Sequence, residues 1–150
     1  MKKNFSIMLA LTLVAILIIP FTVHSASAHV TKNFGDIIVK IGFANEPPLV
    51  GDTNIVQVFV DKGSGNNTVP VHETALDNMT AVITYGGLQK TLQFTPSDDT
   101  PDEYDSTVIP TKLGSYNIVV NGTIDGQPVN AVFPLDEVES KTAYYFPPLS

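Results

Sequence analysis

The residues best placed to do chemistry are two histidines and a run of carboxylates. His29 follows Ala26-Ser27-Ala28, small residues at the positions a signal peptidase reads. Cleavage after Ala28 would make His29 the first residue of the mature chain. An N-terminal histidine offers two nitrogens from one residue, the α-amine and imidazole Nδ1, which close a chelate ring on one metal. A second imidazole completes a T-shaped three-nitrogen site. Cu(II) suits it, because copper favours tetragonal nitrogen and oxygen geometry and heads the divalent affinity order. The other histidine beyond the leader is His72, in a long loop with Glu73 beside it. The expected copper ligands are therefore His29 and His72, with one carboxylate for a remaining position. The alternative makes His29 only the residue at which cleavage falls, and His72 a solvated loop side chain.

The carboxylates Asp98, Asp99, Asp102, Glu103 and Asp105 crowd one polar stretch. Calcium takes several carboxylate oxygens, so Asp98, Asp99, Asp102 and Glu103 form a candidate calcium loop. Their spacing is not that of an EF-hand, and Pro96 and Pro101 restrict wrapping, which leaves a solvated acidic loop as the other reading. Glu46-Pro47-Pro48 reads either as a carboxylate near the N-terminal metal or as a stiff connection, since each proline fixes φ and removes a donor. Asn66-Asn67-Thr68, Asn78-Met79-Thr80 and Asn121-Gly122-Thr123 are glycosylation sequons that matter only in an archaeal or eukaryotic host. No Gly-x-Ser-x-Gly elbow and no His-Glu-x-x-His motif occurs, and nothing singles out a serine to join a histidine in a triad. The expectation is a chain that is not an enzyme.

These residues reach their setting by export. Lys2 and Lys3 make a positive n-region, Ile7 to Ile19 is apolar apart from Thr12, and Pro20 closes the stretch before the cleavage site. That is the layout of a signal peptide over residues 1–28, with a mature domain over 29–150. Left uncleaved, Phe5 to Val23 would be just long enough to anchor the chain in a membrane. The sequence has 8 lysines, no arginine and 15 acidic residues. With Lys2 and Lys3 removed, six lysines face 15 carboxylates, for a mature charge of −9. That charge repels phosphate backbones and argues against nucleic-acid binding. Cysteine is absent, which removes disulfides, thiolate nucleophiles and cysteine metal sites.

The elements that must position these side chains are strands. Ile37, Val39, Ile41 and Phe43 alternate onto one face, as do Val56, Val58 and Val60 in a central strand over Asn54 to Val60. Met79 to Tyr85 and Leu88 to Phe94 flank Gly86-Gly87, a two-residue hairpin signal. Tyr104 to Ile109 is a short strand ended by Pro110. Ser115 to Ile124 turns at Asp125-Gly126 into a return strand through Val129, Phe133 and Leu135. Asp61 to Asp77, Thr95 to Glu103 and the tail from Glu137 read as loops. About seven strands without a helical period predict an all-β, immunoglobulin-like antiparallel sandwich. Tyr116, after Leu113-Gly114-Ser115, stands where such domains often keep a corner tyrosine.

Two resemblances add to this reading. The run from Ile41 to Asn54, with Glu46-Pro47-Pro48 inside it, and the run Ile109 to Tyr116 followed by Asn121-Gly122-Thr123-Ile124, resemble exported immunoglobulin-like domains grouped with the YtkA-like proteins. That resemblance implies a β-sandwich outside the membrane and little about function. Ala26-Ser27-Ala28-His29 resembles the processing site of CopC-like copper-binding proteins, whose mature N-terminal histidine binds Cu(II) through its amine and imidazole. The chain departs from that family in having no second histidine soon after the first and no Met-rich segment. Lytic polysaccharide monooxygenases share such a histidine, but they are larger and present an aromatic face, and this chain has no tryptophan. The expected function is a non-catalytic accessory or interaction module of the cell envelope, periplasmic, pseudoperiplasmic or secreted, meeting an envelope or membrane protein. The alternative is a Cu(II)-binding protein.

Overall fold

Alternate apolar residues give each strand one dry face, and two such faces close on each other. The computed structural model describes residues 29–65, 67–71 and 74–149. The leader expected over residues 1–28 and the candidate copper ligand His72 lie outside the described residues.

The described strands are β1 (Val30–Phe34), β2 (Ile37–Phe43), β3 (Asn54–Ser64), β4 (Asn67–Pro70), β5 (Met79–Tyr85), β6 (Leu88–Thr91), β7 (Thr95–Pro96), β8 (Glu103–Val108), β9 (Asn117–Ile124) and β10 (Gln127–Pro134). One sheet runs β1-β2-β3-β8-β7, with β4 also on β3; the other runs β10-β9-β5-β6. The described pairs of strands are all antiparallel. Taking β2 as strand A, the two orders are A-B-E-D and G-F-C-C′, the immunoglobulin arrangement. The core lies between the sheets. Ile37, Val39, Ile41, Phe43, Val56, Val60, Ile118, Val129 and Phe133 are wholly buried, and the alternating positions read from the sequence are the ones that point inward.

Local chemistry explains the turns. Gly86 and Gly87 both take positive φ, 51° and 83°, as the two central residues of a type I′ hairpin must. Asp125 and Gly126 do the same at 48° and 77°. The corner tyrosine is present: Tyr116 Oη donates to the Lys112 carbonyl at 3.1 Å and accepts from the Lys112 amide at 3.2 Å. This ties the connection after β8 to the start of β9.

Among the described residues ten strands stand where about seven were expected. In β1, Thr31, Lys32 and Asn33 mask the alternation in the sequence, yet Val30 and Phe34 pack against the core. β3 runs on to Ser64 and offers its backbone to β4, inside a stretch read as loop. The bare α-carbon of Gly63 permits this, since a Cβ there would lie 2.1 Å from the Asn67 carbonyl oxygen. β6 stops at Thr91 rather than Phe94, because the chain then crosses to the other sheet and pairs as β7. The tail makes isolated bridges, Val138 to Gly114 and Glu139 to Leu49, buries Val138, and then forms a 3₁₀ turn, Lys141–Tyr144.

The corner makes a quantitative prediction. Tyr116→Phe keeps the ring and removes both hydrogen bonds, so urea denaturation should show a loss of about 1 kcal/mol. An unchanged midpoint would mean the corner adds nothing to stability.

Candidate functional site

His29 precedes β1 and lies over Gly42 on the outer face of the larger sheet. A Cβ on Gly42 would meet His29 Cγ at 2.8 Å, so only glycine leaves the imidazole room there. The ring stands edge-on to Phe59, with centroids 5.4 Å apart and planes at 69°. His29 Nε2 is buried and has no hydrogen-bond partner among the described residues.

Two carboxylates share this end of the sandwich. Glu46 is exposed as a whole, but partial desolvation raises its carboxyl above the ordinary range. The charge of Asp136 raises it further, and His29 pulls the other way. Asp136 Oδ2 is buried without a hydrogen-bond partner among the described residues. Glu46 therefore feels the charges of both His29 and Asp136. The loop that carries Glu46 is clamped by one buried side chain. Asn54 Oδ1 accepts from the Asn45 amide at 3.0 Å and the Ile55 amide at 2.8 Å, while its Nδ2 donates to the Asn45 carbonyl at 2.8 Å. The side-chain amide thus replaces a strand pair across residues 45–54, a role no periodicity in the sequence discloses.

The acidic stretch is split by β8. Asp98 and Asp99 are exposed and Asp102 is half-buried, while Glu103 is buried on the sheet. Gln57 Nε2 donates to Glu103 Oε1, so Glu103 is committed to the sheet face rather than the loop. Among the described residues, no three His, Asp or Glu side chains converge into a group that would hold a metal ion. The four candidate calcium residues are not gathered around one point, because strand geometry sends Glu103 to the sheet face. Asp105 lies two residues on, on the same face as Glu103. Desolvation raises its carboxyl first, and the charge of Glu103 adds to this; a hydrogen bond from Gln57 lowers it and one with Glu103 raises it again.

A third region went unnoticed in the sequence. A groove of about 230 Å³ opens between the β5–β6 hairpin and the segment that leaves β8. The Tyr85 and Tyr116 rings, 4.6 Å apart, line it, and Tyr85 Oη donates to the Leu113 carbonyl at 2.9 Å. Leu88 and Ile109 stand on its rim, 72% and 55% exposed. The tail aromatics do not fold back onto the core: Phe146 is 96% exposed, and Tyr144 and Tyr145 are exposed too. Among the described residues no helix is long and apolar enough to cross a membrane.

No family model matches the chain, and no curated protein does. Among solved structures it is similar to the Lin-41 filamin domain, at 10% identity, 71% coverage of this chain, 97% coverage of that one and a TM-score of 0.39. The fold assignment rests on the strand order and the Tyr116 corner.

The Glu103–Asp105 face predicts a pH dependence. A carboxyl raised above its ordinary value near 3.8 binds more protons folded than unfolded. Its contribution to stability is complete below that value and is lost as pH rises through the raised one. Asp105→Asn should therefore be more stable than the parent at pH 7, with a shallower change in urea midpoint as pH rises from the ordinary carboxylate value toward neutrality. Equal slopes for the two proteins would refute this assignment.

Proposed function

We propose that the mature chain is a non-catalytic module of the cell envelope, outside the cytoplasmic membrane, that meets a protein partner at the open side of its sandwich. The observation that carries this is the apolar rim at the end of the smaller sheet, where Leu88, Ile109 and Leu113 are each more than half exposed. Contiguous exposed apolar surface on a small domain marks an interaction site. The location rests on the leader layout of residues 1–28.

A second reading is a Cu(II) site using the amine and imidazole of a cleaved His29, with His72 as the third nitrogen. The charge that His29 exerts on the Glu46 carboxyl favours it, because one carboxylate near the imidazole would offset the charge of a bound cation. Binding would weaken as pH falls, since the amine and imidazoles must lose protons.

Two measurements test these readings. A photo-crosslinking residue at Leu88, in the protein expressed in its own envelope, should give one discrete adduct with an envelope protein. Intact mass of the exported protein should place His29 first. A diffuse ladder, or no adduct, would count against the module. For copper, titration of the cleaved protein followed by electron paramagnetic resonance should show one tetragonal Cu(II), weakened at least about tenfold in His72→Ala and by one extra residue before His29. Equal binding by all three proteins would exclude this site.

A further inference from the structure

The two ends of the strand order are not equivalent. On one side β1 packs against β10, and Lys32 Nζ lies 5.6 Å from the Phe133 ring centre. There the two strands lie side by side without pairing among the described residues, and β10 carries Pro128 and Pro134. The other side exposes β7 and β6. β7 has two residues, one of them Pro96, and so offers little backbone to a newcomer. β4, on β3, is also exposed but is polar apart from Val69 and ends in Pro70. β6 lacks these safeguards. It carries four residues without a proline, and among the described residues only β5 pairs with it. Leu88 and Lys90 point to the same face of β6, opposite Tyr85 and Ile83, toward the groove.

The lysines give the groove a charge preference. Four of the six in the mature chain are engaged within it. Lys32 lies over Phe133. Lys40 pairs with Asp61 at 3.0 Å, and Lys62 with Asp125 at 3.1 Å and Asp36 at 4.0 Å. Lys141 pairs with Asp52. The remaining two, Lys90 and Lys112, make no ion pair among the described residues, and both line this groove. No described Asp or Glu lines it, although the sequence has 15. In a mature chain of charge −9, these two cations flank one apolar groove beside the open edge of β6.

We infer that this groove binds an extended segment of a partner protein that adds as a strand to β6, placing apolar side chains against Leu88, Ile109 and the Tyr85–Tyr116 pair and carboxylates at Lys90 and Lys112. Strand addition takes its affinity from backbone hydrogen bonds and its selectivity from the pockets for alternate side chains. Here the selectivity is for acidic residues in an alternating apolar strand. The inference rests on the interaction-module reading and specifies its partner.

The test is selection from a random twelve-residue peptide library on the exported protein. The enriched peptides are then mapped by amide chemical shifts on the protein and on the Lys90→Glu, Lys112→Glu double variant. Enriched peptides should alternate apolar residues with Asp or Glu and carry no proline at their centre. They should shift the Leu88–Thr91 amides and bind the double variant about tenfold more weakly, as two exposed ion pairs allow. Replacing their acidic residues with lysine should restore binding to the variant. Peptides without acidic bias, shifts away from β6, or equal affinity for both proteins would overturn the inference. So would a variant that self-associates while keeping its peptide affinity, since Lys90 would then only guard the edge against pairing. If Leu88 crosslinks to an envelope protein and the double variant crosslinks equally well, the module reading stands and this partner chemistry falls.

Discussion

No covalent link holds the two sheets together, so the domain stands on dry contact between the inward residues of β2, β3 and β8 and those of β5, β9 and β10. Everything else follows from keeping that contact closed. The wholly buried side chains are mostly β-branched, with Phe43, Phe133 and Tyr104 as the larger fillers, a composition that suits a pleated, two-layer core. β3 carries the heaviest share. It pairs with β2 along one edge and with β8 and then β4 along the other.

Polar side chains finish what apolar burial leaves open. Asn54 closes the loop ahead of β3, and Tyr116 fixes the approach to β9. Each satisfies backbone groups that lack a strand partner, at little cost in packing. On one side of the sandwich β1 packs against β10. The opposite side ends in a clipped β7 and an open β6, where the proposed partner strand would add.

The strands with clean alternation were legible in the sequence, as were both type I′ turns and the corner tyrosine, because each is a local pattern of two to eight residues. β1 and β4 were not, because polar residues fill them and their pairing depends on a neighbouring strand. The fit of His29 over Gly42 joins residues 13 positions apart through one missing Cβ, a contact that leaves no periodic mark. The groove was invisible for the same reason. Lys90 and Lys112 lie on different segments, and their lack of ion pairs emerges only when the other four lysines find partners. The acidic run looked like one loop, but β8 begins within it and turns Glu103 onto the sheet.

Amide hydrogen exchange on the free protein tests the central claim most directly. The inward-paired amides of β3 and β9 should exchange only through global opening, while the outward amides of Leu88–Thr91 should exchange fast, as an uncovered edge requires. Outward β6 amides as protected as those of β3 would mean that the edge is already covered, and would contradict the account.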